Sequence, residues 1–349
     1  MKAGVVYAKN DLRYEEIEKP VPKKGQVLIK VKYTGICGSD VPRVNADACH
    51  FFPNVLGHEF SGVIEAVGEG VTSLAAGDRV AGVPLVPCME CEDCQKGNYS
   101  LCKHYSFIGS REFGSFAEYV VVPEKNAVKF EEEVSFEQGA FFEPATVALH
   151  GLQRLDYKGG KTVAILGGGT IGMFVMQWAK IFGAAKVVVF DIADERLALG
   201  KRLGATAGIN TLENNFMEKA MEMTDGKGFD YVYETAGNTI TMKMAFELAA
   251  NKAQVCFVGT PTKELSFTVK EWENMNRKEF TLTGSWMSYS APFPGKEWDL
   301  AAHYFKTGEL KFDDSFIFKK IPLSEIASAF ELYQMPGTVK GKILIDSEQ

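Results

Sequence analysis

Four apolar residues, Val163-Ala164-Ile165-Leu166, run directly into Gly167-Gly168-Gly169-Thr170-Ile171-Gly172, and this junction limits the folds open to the chain. Apolar residues then recur at helical spacing, at Ile171, Phe174, Val175, Trp178 and Phe182, until Gly183 ends the pattern. The order is strand, tight turn, helix. In Gly167-x-Gly169-x-x-Gly172 the first glycine makes the turn, the second admits a pyrophosphate to the backbone, and the third lets the helix pack on the strand. Thr170 and Ile171 open the helix, whose free N–H groups and positive dipole end suit an anion. A second strand, Lys186-Val187-Val188-Val189-Phe190, ends in Asp191, 19 residues past Gly172. That is close to the spacing of a carboxylate that holds a ribose diol, and a carboxylate there favours NAD by repelling the 2′-phosphate of NADP. A glycine turn that binds nothing needs neither this strand nor this acid.

Strands and helices alternate around this loop, at Ala207 to Ile209, Phe229 to Tyr233, Ala253 to Val258 and Phe280 to Ser285 for strands, and Asp194 to Leu203, Asn214 to Met223 and Thr239 to Ala250 for helices. Such alternation builds a parallel sheet with helices on both faces. Residues 1 to about 130 differ: short alternating stretches such as Gln26 to Tyr33 and Phe60 to Val67, punctuated by Gly and Pro, predict a small barrel-like β domain. The expected fold is therefore α/β, a β-barrel domain plus a doubly wound parallel sheet, in a chain whose 349 residues suffice for two domains. A net charge of −7 and the lack of a long apolar run argue against nucleic-acid and membrane partners. With no signal-peptide pattern at the start, the expected location is the cytoplasm.

Four of the seven cysteines crowd into Cys88-x-x-Cys91-x-x-Cys94-x7-Cys102. Four thiolates from one loop suit a closed, structural zinc, and an iron–sulfur cluster also takes four cysteines. Zinc is the expectation, because the loop interrupts a β domain beside a fold that needs no electron carrier. A second set is more scattered: Cys37 in Gly35-Ile36-Cys37-Gly38-Ser39, His58 and Glu59 in Gly57-His58-Glu59-Phe60, and Glu143 in Phe142-Glu143-Pro144. Cysteine, histidine and carboxylate make an open zinc site with one position left for water or substrate. Taken singly, each is better read as a buried thiol, a satisfied core histidine or a carboxylate at a helix start. Only beside the glycine loop and the cysteine loop do they point to metal-assisted hydride transfer.

Cys37-Gly38-Ser39-Asp40, Gly57-His58-Glu59-Phe60-Ser61-Gly62, the four-cysteine loop, Phe141-Phe142-Glu143-Pro144 and the glycine loop occur in the order seen in the medium-chain zinc-dependent dehydrogenases, which the whole chain resembles. Glu143 stands where the polyol branch of that family has a carboxylate. The stretches Asp40-Val41-Pro42-Arg43 and Gly284-Ser285-Trp286-Met287-Ser288-Tyr289-Ser290 are similar to members acting on a hexitol phosphate. The resemblance implies a GroES-like catalytic domain over 1–150, a Rossmann domain over 151–286, and a segment 287–349 that rejoins the first domain. It implies two zinc ions, a catalytic one on Cys37, His58 and Glu59 or Glu143 and a structural one on Cys88, Cys91, Cys94 and Cys102. It also implies Ser39 and Glu59 as catalytic groups, Arg196 beside the adenosine, a small-molecule substrate, and a homodimer or homotetramer. Substrate phosphate would fall to Arg43 and Arg111. A proton relay that often ends in histidine here meets Pro42, so the proton leaves by the cofactor ribose and water or by His50. Rival readings are a free-polyol dehydrogenase, a zinc-free reductase of the same superfamily and a zinc-binding protein without catalysis.

Overall fold

The structure is a computed structural model that describes residues 1–335 and 337–349. It divides into two compact units, one of Met1–Glu143, Tyr289–Gly308 and Asp314–Gln349, the other of Pro144–Ser288 and Glu309–Asp313.

The first unit is β-rich. Its main sheet runs in the order Ala127–Lys129, Arg79–Gly82, Glu59–Val67, Gln26–Gly35, Lys342–Asp346, Ile317–Pro322, with Tyr119–Pro123 also paired to Gln26–Gly35. Gln26–Gly35 is the organising strand because its alternate residues Val27, Ile29 and Val31 point inward and are fully buried against Phe60, Ile64, Val80, Val120 and Val122. Lys342–Asp346 lies antiparallel beside its end, with Leu344 opposite Gly35 and Ile345 opposite Thr34. A second, three-stranded sheet of Asp11–Glu16, Lys2–Ala8 and Asn54–Val55 has its own core, in which Val5, Val55, Phe116, Ile326 and Phe330 meet.

The second unit holds six parallel strands in the order Ala207–Asn210, Lys186–Asp191, Thr162–Leu166, Phe229–Glu234, Ala249–Phe257, Thr281–Gly284. Two halves are wound outward from Thr162–Leu166, so the order reverses beside the glycine loop, the arrangement of a doubly wound nucleotide-binding sheet. Ala249–Phe257 starts earlier than its apolar run suggests, since exposed Asn251 and Lys252 interrupt the pattern. The helix Val269–Lys278 has only three apolar residues, Val269, Trp272 and Met275, and none of its residues is buried; its plainest mark in the sequence is the Thr268–Glu271 capping box. Glu309–Asp313 joins this unit through Gln177, whose side-chain amide exchanges hydrogen bonds with the Lys311 backbone at 2.8 and 3.2 Å. The chain passes between the units at 143/144, 288/289, 308/309 and 313/314, so the segment after 288 is itself divided. Among the described residues no helix is long and apolar enough to cross a membrane.

Candidate active site

Past Gly35 the chain turns through Cys37 into the short helix Asp40–Asn45, and Glu59 begins the neighbouring strand directly opposite Gly35. This brings ligand atoms of Cys37, His58 and Glu59 within 4.8 Å of one another, the last two buried. Asp40, fully buried, holds the group from behind. Its Oδ2 accepts the Cys37 backbone N–H at 3.0 Å and its Oδ1 faces His58 Nδ1 at 3.3 Å, which would leave Nε2 for a metal. A carboxylate behind a histidine is the usual means of fixing ring and tautomer at a metal. Sequence reasoning passed over Asp40, although its spacing from Cys37 at a helix start was a readable signal.

Lys342 was also missed. Its ammonium forms an ion pair with Glu59 Oε2 and donates to the Ile36 carbonyl at 3.3 Å. The pair crosses the main chain at Gly35, where a Cβ would lie 2.5 Å from Glu59 Oε2 and 2.8 Å from Lys342 Cδ, so any larger residue there would have to displace the pair. Glu143 sits at the second position of the helix Phe142–Gln153 and outside the group of three. Burial, then the charge of Glu59, pushes its carboxyl up to about 7. Burial opposes a charge on His58, yet Asp40 and Cys37 outweigh it and hold the imidazole well above its usual value. A thiol, an imidazole and a carboxylate whose ligand atoms lie this close together are a donor set that fits a zinc ion.

The four-cysteine loop closes on itself. Sulfur separations are 3.5 Å for Cys88–Cys102, 3.8 Å for Cys91–Cys102 and 3.9 Å for Cys88–Cys94. Four sulfurs at about 2.3 Å around one zinc stand about 3.8 Å apart, so the loop fits a single ion and is too tight for a multi-iron cluster. Backbone N–H groups of Glu90 and Cys91 lower the Cys88 thiol to about 6, which prepares one thiolate, while burial raises Cys94 to about 12.

In the second unit Gly167 adopts φ 102°, and a Cβ on Gly172 would lie 1.9 Å from the Gly167 carbonyl oxygen. A Cβ on Gly169 would meet nothing within 4 Å, so there is open space over the start of the helix Thr170–Ile181, whose first turn holds Thr170 and Ile171. Asp191 is fastened beside this space. It accepts the Gly168 N–H at 2.7 Å and the Ala193 N–H at 2.9 Å, and Arg196 Nη1 stands 3.5 Å from its Oδ2. The residues fit a dinucleotide: free N–H groups for phosphate and a held carboxylate for ribose.

Arg43 Nη1 donates to the Ser39 carbonyl at 2.6 Å and to Ser39 Oγ at 2.9 Å, so Ser39 is tied to the helix that carries Asp40. Arg111 is exposed, its guanidinium lying over the Tyr105 ring at 4.6 Å, and among the described residues it has no carboxylate partner.

Comparison with known proteins agrees with this geometry. Residues 23–132 match the alcohol dehydrogenase GroES-like domain and residues 170–303 match the zinc-binding dehydrogenase domain. The chain is 41% identical to galactitol 1-phosphate 5-dehydrogenase of Escherichia coli (strain K12) over 299 residues, covering 86% of each chain. It is 33% identical to sorbitol dehydrogenase of Bacillus subtilis (strain 168) over 276 residues, 75% of this chain and 76% of that one. The crystal structure of galactitol-1-phosphate dehydrogenase from Escherichia coli superposes with a TM-score of 0.93 at 38% identity, covering 99% of this chain and 100% of the other. With a GroES-like unit, a Rossmann sheet and both domain matches in one chain, this protein belongs to the medium-chain zinc-binding dehydrogenases, oxidoreductases that act on a CH–OH group.

Proposed function

We propose that the chain oxidises a secondary carbinol of a hexitol phosphate, galactitol 1-phosphate to tagatose 6-phosphate, and runs the reverse reduction. The alcohol loses a hydride to NAD and a proton to the protein, giving ketone, NADH and H⁺. Cys37, His58 and a carboxylate from Glu59 or Glu143 hold a catalytic zinc, and Cys88, Cys91, Cys94 and Cys102 hold a second that pins their loop. Bound zinc supplies Lewis acidity toward the carbinol oxygen, and NAD accepts the hydride. Asp40 keeps the His58 ring in its ligand orientation. Ser39 Oγ takes the hydroxyl proton, with the Arg43 guanidinium donating to that serine. Gly167, Gly169, Thr170, Ile171 and Gly172 seat the pyrophosphate, Asp191 the ribose, and Arg196 the adenosine side. Arg43 and Arg111 receive the substrate's phosphate, for which a guanidinium fork is well matched.

The observation that carries the reading is the Cys37–His58–Glu59 cluster, with Asp40 behind it and Arg43 on the same short helix. The 41% identity to the Escherichia coli enzyme supports the phosphorylated substrate over the free polyol named for the Bacillus subtilis relative. The edge strand Thr281–Gly284, with Leu282 and Trp286 exposed nearby, supports pairing with a second copy, as a homodimer or within a homotetramer. Seven free cysteines support a reducing, cytoplasmic setting. A panel of galactitol 1-phosphate, galactitol and sorbitol with NAD tests the proposal. The phosphate ester should exceed the free polyols in kcat/KM by on the order of 10⁴-fold; equal efficiency would refute the phosphorylated substrate.

A further inference from the structure

We propose that Phe107 is a positioning residue for His58, and that through it the Cys37–His58–Glu59 site depends on the four-cysteine loop. The inference rests on the two-zinc reading above and adds a residue that neither the ligand sets nor the substrate contacts include.

His58 is 4% exposed, and Asp40 Oδ1 stands 3.3 Å from its Nδ1. A contact to one ring atom fixes a direction and leaves the plane of the imidazole free to pivot about it. The Phe107 ring removes that freedom. It meets the imidazole edge to face, with centroids 5.5 Å apart and planes at 67°. A ligand histidine must present its lone pair along one line, so what holds the ring plane also holds the metal affinity.

Phe107 is itself placed from two directions. Downstream, main chain crosses main chain: a Cβ on Gly109 would lie 2.2 Å from the Gly57 carbonyl oxygen, and one on Gly114 2.3 Å from it. Gly57 immediately precedes His58, and the same carbonyl accepts the Ser115 N–H at 3.0 Å. Upstream, Ser106–Phe107 pairs with Leu85–Val86, Phe107 opposite Leu85, and each strand is two residues long. Leu85 is anchored: its N–H donates to the Tyr289 hydroxyl at 3.2 Å and its carbonyl accepts Asn126 Nδ2 at 2.6 Å. All four cysteines lie between these two strands, so they form the closed end of a hairpin whose other arm carries Phe107.

Two such short strands hold their register weakly. A cross-link at their closed end holds it firmly, because the arms then have fewer ways to separate. Cys88 and Cys102, whose sulfurs stand 3.5 Å apart, would share one metal and make that cross-link. Without it Phe107 keeps only the glycine crossing, and the His58 ring loses part of what fixes its plane. Coupling between two binding sites is reciprocal and commonly amounts to about 5- to 150-fold in affinity.

The test titrates the zinc-loaded, full-length enzyme with a chelator and counts the zinc released per chain, with His58→Ala marking the step that belongs to the Cys37–His58–Glu59 site. Phe107→Ala should release that zinc at about tenfold lower chelator, the lower end of the effect of losing a group that orients a ligand histidine. Phe107→Tyr, which keeps the ring, should restore wild-type release. Cys91→Ser should loosen the same zinc by a similar factor, and the Phe107→Ala, Cys91→Ser double variant should be no looser than Phe107→Ala. If Cys91→Ser does not fold, Ser106→Gly, which slackens the arm and leaves every cysteine in place, carries the comparison. Zinc held as tightly in Phe107→Ala as in wild type, or as loosely in Phe107→Tyr as in Phe107→Ala, overturns the assignment and leaves the two-zinc reading standing. Effects of Phe107→Ala and Cys91→Ser that multiply overturn the dependence on the cysteine loop. A wild type that releases one zinc, or a His58→Ala variant that still releases two, removes the two-zinc reading instead.

Discussion

Replacing Lys342 by methionine should destabilise the first unit more than any single change at its surface. The ammonium is the cation paired with Glu59, and the two side chains are 8% and 2% exposed. Methionine fills similar volume, so the loss is electrostatic: the buried Glu59 carboxylate loses its ammonium partner. Removing one partner of such a buried pair costs about 3–5 kcal/mol, because an uncompensated charge is left behind. At roughly 2–4 °C per kcal/mol for a unit of this size, the melting temperature of metal-stripped protein should fall by about 10 °C. Adding Glu59→Gln should recover most of that, since the stranded charge is then gone. Zinc offers the cluster a different cation, so the penalty should shrink in zinc-loaded protein. Differential scanning calorimetry on the four proteins, wild type, both single variants and the double, with and without zinc, measures all three effects. A stripped Lys342→Met protein melting within about 2 °C of wild type, or a double variant no better than Lys342→Met, would show that the pair does not hold the site.

Four further outcomes bear on the sites and the assembly. His58→Ala should lower bound zinc from two ions to one per chain and reduce kcat by at least about 10³-fold, while Asp40→Asn should retain turnover but weaken zinc binding about 10- to 100-fold; elemental analysis and metal titration check both. Asp191→Ala should raise the KM for NAD and narrow its advantage over NADP by about tenfold, read as the ratio of kcat/KM; an unchanged ratio removes Asp191 from the ribose. Leu282→Lys, which puts a charge on the exposed edge strand, should shift the assembly toward monomer in light scattering at micromolar concentration.

What could be read from the sequence follows how far apart the cooperating residues lie. The glycine loop, its strand and its acid are contiguous, and each leaves a periodicity or a spacing. The cysteine loop is equally local, and its sulfurs stand at the separations one ion needs. Cys37, His58 and Glu59 were suggestive only in company, because nothing local distinguishes a ligand histidine from a core one. Asp40 gave a weak signal at a helix start. Lys342 gave none: it meets the Ile36 carbonyl 306 residues away, and only the pairing of Lys342–Asp346 with Gln26–Gly35 brings it there.

The same pairing has a consequence for how the protein is made. All six parallel strands lie between Thr162 and Gly284, so the nucleotide-binding sheet is complete on the ribosome while later codons are still being read. The sheet of the first unit cannot close until Lys342–Asp346 has emerged, although its central strand, Gln26–Gly35, was among the first segments synthesised. Contacts of such long sequence separation form slowly, and until they form the Tyr33–Gly35 end of that strand is an unpaired edge beside its partner Tyr119–Pro123. The later unit in the sequence is thus able to fold first, and the earlier one depends on chaperones or on speed to stay out of aggregates.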